Sequence, residues 1–460
     1  VLGYNPFKGI TNDQVVGTDG ILNVNATKLL WQDDLNWTSP IQTIGLRTDA
    51  LISANGGNNN TDYYLSVGYT SDNGWIKKMD YKRYSARANV NFNPTKWLSF
   101  GANINASLNK SYTPNTDSNS GFANIIGFAR SMGPIYPVYQ HNRLTGEYIL
   151  DDDGNRLWDF GPSVVLDGVT YGSRPQAGGR HATAEHLLNR RDFERNTIQS
   201  RTYIEFTFLK DFKLKLSNSF DINNYIYSSY ENPLVGDGAP QGRSSKESTL
   251  RYTITNIQML TYNKTFGKHE VNLMAAHENY KNDYKYFYGF RQGEIIPDNP
   301  ELINFTTTNS LYSYFSNHNV EGYLARGLYS FDNGRYTLEG SFRRDGSSKF
   351  ENSARWGSFW SLGAGWRIDR EPFMTTLKWI DFLKVRASYG LNGNDAGISR
   401  YAWQVLYSYR NNASEPGFIQ DTSPGNPLLQ WETTIQTDLG LEYNLFNNRL
   451  KGTIACFNKE

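Results

Sequence analysis

The sequence predicts an all-β protein, an antiparallel transmembrane β-barrel with long extracellular loops. Three features predict it: long segments in which apolar and polar residues alternate, aromatic residues near the ends of those segments, and turn-forming residues between them. A period of two is typical of a strand, because successive side chains point to opposite faces. Soluble strands average about five or six residues, whereas these segments approach or pass the roughly nine to eleven that a membrane strand needs.

The clearest predicted strand runs from Trp97 to Lys110, with an apolar residue at every second position. The other clear alternating segments cover residues 84–92, 336–343, 356–368, 383–390 and 435–445. About fourteen strands are expected in all, and the pattern leaves the phase of residues 249–263 open. Aromatic residues such as Tyr84 and Tyr443 lie near strand ends, as a girdle at the membrane interface requires.

Clusters of Asn, Asp, Gly and Pro predict where the chain turns. Short turns are predicted at Ser71–Gly74, Asn93–Thr95, Asp332–Gly334 and Phe446–Arg449. Long loops are predicted at residues 111–197, 228–247, 283–318 and 392–429. Within the first of these loops, apolar residues at helical spacing predict a short helix over Phe122–Met132. Short turns at one rim and long loops at the other are typical of outer-membrane barrels.

Composition argues against several other classes of protein. The mean hydropathy is -0.60, and no apolar run approaches the ~18 to 20 residues that a spanning helix needs. The 46 basic and 45 acidic residues give a net charge of +1, so no nucleic-acid partner is expected. Cys456 is the single cysteine, which excludes an internal disulfide and a cysteine-based metal site.

Neither a metal site nor a catalytic site is predicted. His181 and His186 lie in a segment that lacks the HExxH zinc pattern, and we expect both in an exposed loop. The acidic stretch Asp151–Asn155 lacks the spacing of an EF-hand and is expected to be a solvated turn. No nucleophile, base and orienting residue stand out together, so we expect no enzyme and no cofactor.

Six separated blocks, spread over much of the chain, are similar to one known family. They are Tyr63–Phe92 (YYLSVGYTSDNGWIKKMDYKRYSARANVNF), Pro134–Tyr139 (PIYPVY), Arg343–Phe350 (RRDGSSKF), Arg355–Met374 (RWGSFWSLGAGWRIDREPFM), Leu383–Asn394 (LKVRASYGLNGN) and Asn426–Gly452 (NPLLQWETTIQTDLGLEYNLFNNRLKG). In this order they resemble the SusC/RagA-type TonB-dependent transporters of the Bacteroidetes outer membrane. Blocks in one order carry more weight than any single short motif.

The resemblance implies a fold, a location and a set of partners. Family barrels have about 22 strands around an N-terminal plug, and residues 1–460 would supply roughly 14 of them as part of a single β-barrel domain. The plug and the closing C-terminal strands are expected to lie outside this chain. The implied location is the cell outer membrane, crossed many times in contact with lipid. The implied partners are a SusD-like surface lipoprotein as a lid and the TonB–ExbB–ExbD complex.

The function that the resemblance implies is TonB-energised import of glycan oligosaccharides. Peptide uptake by the same architecture is an alternative, as is a surface display or adhesion barrel without active transport. A soluble β-rich carbohydrate-binding module would also show alternation, although shorter strands are typical of such a domain.

Candidate site residues fall into two groups. Polar residues expected to line a wet lumen are Asn103, Asn105, Arg343, Lys384, Arg386 and Gln436. Aromatic loop residues placed to stack on a sugar are Trp158, Tyr171, Tyr401 and Trp403. Contact with a plug or with lumen water is the plainer role for the first group. Loop packing or contact with a lid is the plainer role for the second.

Overall fold

The computed structural model describes residues 4–114, 124–166, 169–412, 415–420 and 423–460. Fourteen strands form one sheet in which each strand pairs antiparallel with its neighbour along the chain. This arrangement confirms the predicted all-β antiparallel fold and the expected number of strands. Among the described residues no helix is long and apolar enough to cross a membrane.

The strands of the described residues are, in chain order, β1 (Leu46–Gly57), β2 (Thr61–Asn73), β3 (Asp80–Thr95), β4 (Leu98–Tyr112), β5 (Val164–Leu166), β6 (Val169–Tyr171), β7 (Arg190–Phe208), β8 (Phe212–Glu231), β9 (Arg243–Phe266), β10 (His269–Glu294), β11 (Phe305–Phe331), β12 (Tyr336–Ser347), β13 (Trp356–Arg367), β14 (Ile380–Asn394), β15 (Tyr407–Asn412), β16 (Glu415–Gln420), β17 (Glu432–Leu445) and β18 (Leu450–Lys459). Two pairs, β5 with β6 and β15 with β16, form small hairpins outside the large sheet. The other fourteen build the wall of the barrel.

The two rims of the sheet differ, as the sequence predicts. At the short-turn rim, residues 58–60, 96–97, 209–211, 267–268 and 446–449 connect successive strands. At the opposite, long-loop rim, the connections include residues 113–189 and 395–431. The strands β9, β10 and β11 are 24, 26 and 27 residues long and extend farther toward the long-loop rim than β12 or β13.

All four predicted hairpins are present; two of the turns lie where predicted and two lie a few residues later. Asp332–Gly334 and Phe446–Arg449 do turn the chain, with left-handed backbone angles at Asn333 and Asn448 that Asn tolerates well. The strand β2 instead runs on to Asn73, so the chain turns at residues 74–79 on the long-loop rim. Likewise β3 continues to Thr95: the pairing with β4 shifts register at Asn93 and Pro94 and resumes at Thr95, so these two residues form an irregularity near the strand end and the turn follows at residues 96–97.

The predicted loop over residues 283–318 is mostly wrong, because β10 extends to Glu294 and β11 begins at Phe305. The loops over 111–197 and 228–247 are also shorter than predicted at their edges. These strand extensions carry polar and aromatic residues on both faces, so the alternation of apolar and polar residues disappears. The segment 249–263, whose phase was open, lies within β9.

Residues of the N-terminal segment and of the loop after β4 pack together at the long-loop rim. Their core contains Trp37 and Phe128, whose ring centroids lie 5.4 Å apart. The helix α1 (Ile125–Ser131) is capped by Asn124, whose side chain accepts hydrogen bonds from two backbone amides of the first turn. The predicted helix is confirmed there, and Phe122 lies outside the described residues. A second helix, α2 (Ala182–Leu188), packs beside it.

Candidate functional site

One face of the large sheet carries all six residues predicted to line a lumen. Directly paired residues on neighbouring strands share a face, as do alternate residues within a strand. The pairs that connect the strands are Asn103–Arg201, Arg201–Ser219, Ser219–Thr255, Thr255–Tyr280, Tyr280–Val320 and Val320–Ser347, and beyond them Arg343–Phe359, Ser361–Gly390 and Gly390–Gln436. We call the face that carries these paired residues the inner face.

The opposite, outer face exposes large apolar side chains along the whole sheet. Leu108, Leu338, Leu362 and Leu439 are each 56–57% exposed. Tyr84, Trp366 and Tyr389 share this face and are also exposed. Leaving so much apolar surface in water is costly, at roughly 25 cal/mol for each Å². The outer face therefore suits contact with lipid, and the inner face suits water.

Several predicted lumen residues already have partners on the inner face. Arg343 of β12 forms ion pairs with Glu278 of β10 at 3.0 Å and with Asp345 of its own strand at 2.7 Å, so the first pair bridges β10 and β12 across β11. Arg386 pairs with Glu442 at 3.1 Å. These pairs give the inner face a fixed arrangement of charges.

The amide side chains of the first strands form a second polar area on the inner face. Asn103 and Asn105 line a cavity together with Arg87, Arg201 and Asp221. Farther round the sheet, Lys384 and Arg386 line another with Thr337 and Glu339. Gln436 donates a hydrogen bond of 2.9 Å to Asp438. Such surfaces favour a wet passage that can form hydrogen bonds with a polar solute.

The four aromatic candidates lie in two different loops. Trp158 and Tyr171 belong to the loop after β4, where the ring of Trp158 stacks on Tyr139 at 4.6 Å. Tyr401 and Trp403 belong to the loop after β14. Tyr401 is hydrogen-bonded to the backbone N–H of Asn317, and the indole nitrogen of Trp403 is buried. Their predicted role in sugar binding stays a prediction.

The expectation that His181 and His186 lie in an exposed loop is wrong. His181 is fully buried at the start of α2, and His186 is buried within that helix. The Nε2 atom of His181 lies 2.9 Å from the carbonyl oxygen of Val138, and its Nδ1 accepts a hydrogen bond from the amide of Ala184. Burial lowers the pKa of His181 to about 3. The described residues contain no cluster of three His, Cys, Asp or Glu side chains suited to a metal ion.

A group of aromatic residues that the sequence analysis missed lines the inner face near the long-loop rim. We call it the tyrosine wall; its members are Tyr225, Tyr227, Tyr284, Tyr286, Tyr288, Tyr312 and Tyr314. The sequence signal was present, because Tyr occurs at every second position from 284 to 288. The prediction of a loop over residues 283–318 hides this signal.

Comparison with known proteins identifies the family. The protein-family model described as "TonB dependent receptor-like, beta-barrel" matches residues 138–460 of this chain. The chain belongs to that family. Receptor barrels of this family reside in the outer membrane, which confirms the predicted location and agrees with the apolar outer face.

Curated relatives agree with the SusC/RagA resemblance of this receptor barrel. It is 27% identical to TonB-dependent receptor SusC of Bacteroides thetaiotaomicron over 92% of this chain and 43% of the relative. It is 26% identical to TonB-dependent receptor P39 of Formosa agariphila over 91% of this chain and 37% of that protein. The chain thus spans less than half the length of these relatives.

Solved structures agree on the fold. The structure of the RagAB peptide transporter superposes with a TM-score of 0.73 at 22% identity, covering 93% of this chain and 45% of that chain. At this identity the likeness concerns the fold alone. It matches the arrangement of consecutive antiparallel strands described above.

Proposed function

We propose that this receptor barrel is part of an active importer that carries oligosaccharides across the outer membrane. The observation that carries the proposal is the continuous polar inner face, which runs through all fourteen strands behind an apolar outer face. Amides and paired charges on that face offer many hydrogen-bonding partners to a hydroxyl-rich solute. The proposed role is transport, and we assign no residue a catalytic function.

The rest of the importer lies outside this chain in our proposal. A plug would fill the barrel, and further strands would pair with the edges of β1 and β18, since unpaired backbone groups in lipid cost several kcal/mol each. TonB, with ExbB and ExbD, would supply energy through a segment attached to the plug. A SusD-like lipoprotein would cover the long-loop rim.

Peptide uptake is the second candidate function. It is favoured by the fold shared with a structure described as a peptide transporter. The same polar inner face would accept the amide groups of a peptide. Glycan and peptide uptake therefore have to be separated by experiment.

The test follows the full-length protein in its native outer membrane. Cells with and without a functional tonB gene are given fluorescent oligosaccharides or fluorescent oligopeptides, and uptake is measured together with the proteins that copurify with the barrel. TonB-dependent uptake of oligosaccharides and a copurifying lipoprotein would support the proposal. TonB-dependent uptake of peptides alone would replace it with the second candidate. A plugless barrel without a partner and without uptake would favour display or adhesion.

A further inference from the structure

The tyrosine wall lies on the inner face above the part of the barrel that crosses the membrane. The strand β10 leaves the short-turn rim at His269. A barrel strand crosses the bilayer in about nine to eleven residues. Tyr284, Tyr286 and Tyr288 come later than that, so they stand at the mouth of the lumen. A solute that enters from outside passes this wall before it reaches the membrane-spanning part of the lumen.

The wall consists of rows that run across neighbouring strands. In one row Tyr225 pairs with Thr249, Thr249 with Tyr286, and Tyr286 with Tyr314. In the next row Tyr227, Glu247, Tyr288 and Tyr312 follow one another in the same way. The surface is continuous across β8, β9, β10 and β11.

Neighbouring rings are close but remain accessible. The ring centroids of Tyr286 and Tyr314 are 5.1 Å apart, and those of Tyr288 and Tyr312 are 5.5 Å apart. Tyr312 and Tyr314 are each 50% exposed. Cross-strand ring contacts alone would stabilise the sheet. The exposure leaves ring faces and hydroxyls available to a ligand as well.

Arginine side chains surround these rings. The guanidinium of Arg195 lies 5.5 Å from the ring of Tyr225, and that of Arg251 lies 5.5 Å from the ring of Tyr284. Arg191 lies 5.9 Å from the ring of Tyr227. In the described part of the chain, none of the three has a carboxylate within 4.0 Å. Together with Glu247 in the second row, they leave the wall with a positive balance.

We propose that the tyrosine wall binds anionic oligosaccharides, meaning sugar chains that carry carboxylate or sulfate groups. The inference rests on the proposed function and names its class of substrate. Tyrosine rings offer apolar faces to the C–H side of a sugar ring and hydroxyls to its polar rim. Arginine binds carboxylate and sulfate oxygens through two parallel hydrogen bonds. Rings and guanidinium groups side by side match a ligand that has both features.

The backbone of the wall favours a sugar over a peptide. Extended peptides are often recognised by adding a strand to an open sheet edge. The wall segments of β8, β9 and β10 have a partner strand on each side. On the fourth strand, β11, Tyr401 and Arg400 contact the edge at Asn317 and Ser316, and the edge beside Tyr312 and Tyr314 is open, so a peptide probe tests strand addition there.

The test measures binding by the full-length protein, purified with its outer-membrane partner in mild detergent. The probes are heptasaccharides of galacturonate, mannuronate and sulfated galactan, the carboxyl-reduced or desulfated counterpart of each, and a heptaglutamate peptide. We expect at least one charged sugar to bind about tenfold more tightly than its neutral counterpart, as charge-assisted hydrogen bonds predict. Comparison of the uronates with the sulfated sugar identifies which anion is recognised.

Variants separate the contributions of rings and charges. Tyr286→Ala with Tyr314→Ala should weaken binding of the preferred sugar about tenfold, while the double Phe variant keeps the ring faces and most of the affinity. Arg195→Gln with Arg251→Gln should abolish the preference for the charged sugar. The matched control is Phe287→Ala with Phe315→Ala, which changes the outer face at the same height. Heat-resistant migration in gels checks that each barrel is folded.

Four results would overturn the inference: equal binding of charged and neutral sugars, binding of the peptide alone, no binding by any probe, or unchanged binding by folded wall variants. TonB-dependent uptake is measured in parallel with the same variants. If the wall variants take up the sugar as well as the wild type does, the proposed importer function is retained and the proposed role of the tyrosine wall is contradicted. If the wild type shows no TonB-dependent uptake at all, the proposed function itself is contradicted.

Discussion

The phenolic oxygen of Tyr401 accepts a hydrogen bond of 3.1 Å from the backbone N–H of Asn317, a residue 84 positions earlier in the chain. Asn317 lies in the part of β11 that β12 does not reach, because β12 pairs with β11 only from Val320 to Phe331. An open strand edge invites pairing with other chains. The loop after β14 thus covers the unpaired edge at Ser316 and Asn317, next to the end of the β12 pairing.

Replacing Tyr401 with Phe should loosen this cover without changing the packing of the ring. A net hydrogen bond contributes about 1 kcal/mol, so we expect amide exchange near Asn317 to become about fivefold faster. Hydrogen exchange followed by mass spectrometry on the full-length protein measures it. Tyr409→Phe is the matched control, because Tyr409 is 92% exposed in the same loop. Equal exchange in the two variants would show that the hydrogen bond does not hold the loop.

Sequence patterns predicted the strands best where the two faces meet different solvents. In β4 the apolar positions lie on the outer face and the polar positions on the inner face, so the period of two is clear. Above the membrane this contrast is lost, so the pattern predicts a loop where β10 and β11 continue as strands. The contact of Tyr401 with Asn317 also escaped prediction, because it joins residues far apart in the chain.

Burial at the long-loop rim was equally hard to predict. His181 is enclosed by Trp37 at 4.7 Å and Trp158 at 5.1 Å between ring centroids, and these rings come from two other parts of the chain. Alternation and spacing describe one segment at a time. They give no information about which loops pack together.

Asp395 makes the stability of the loop after β14 depend on pH. Hydrogen bonding to His318 and Ser347 and the charge of Lys349 lower the pKa of Asp395 to about 2. A lowered pKa means that the carboxylate stabilises the fold above its usual pKa near 4, and that this contribution is lost as the pH falls toward 2. The loss is about 1 kcal/mol after allowance for solvent screening.

Pepsin cleavage of this loop tests the role of Asp395. In the wild type, cleavage within residues 395–406, normalised to cleavage elsewhere in the barrel, should rise between pH 4 and pH 2. In Asp395→Asn it should already be high at pH 4, because the variant cannot accept the same charge-assisted hydrogen bonds. The same pH profile in both proteins would mean that another group fastens the loop.

The lowered pKa of His181 predicts that mild acid destabilises the packed loops. Its pKa of about 3 lies below the usual value near 6.5, so the folded state favours the neutral ring. The unfolded state binds more protons between those values, and stability therefore decreases as the pH falls from 6.5 toward 3. Burial raises the pKa of Asp159 in the same core, which acts in the opposite direction.

The difference between the wild type and His181→Asn isolates this histidine. Asn can still accept the hydrogen bond of the Ala184 amide at the start of α2, but it does not titrate. We expect the variant to lose roughly 2 kcal/mol at neutral pH from the space left by the ring, and to show a flatter decrease with acid. Tryptophan fluorescence during denaturation of the full-length protein reports it. If the free energy of unfolding falls equally with acid in the wild type and the variant, His181 is not the source of the acid sensitivity.

The two faces of β14 can be tested with adjacent substitutions. Ala387 lies on the outer face and Ser388 on the inner face, as their pairing with Leu439 and Asp438 shows. An arginine on the lipid face costs about 2 to 4 kcal/mol near the middle of the bilayer, whereas a lumen position tolerates it. We therefore expect Ala387→Arg to reduce the amount of folded, heat-resistant barrel in outer membranes, and Ser388→Arg beside Asp438 to leave it nearly unchanged. The reverse order would place lipid on the polar face and overturn the orientation of the whole sheet, because both positions belong to the continuous ladder that defines the inner and outer faces.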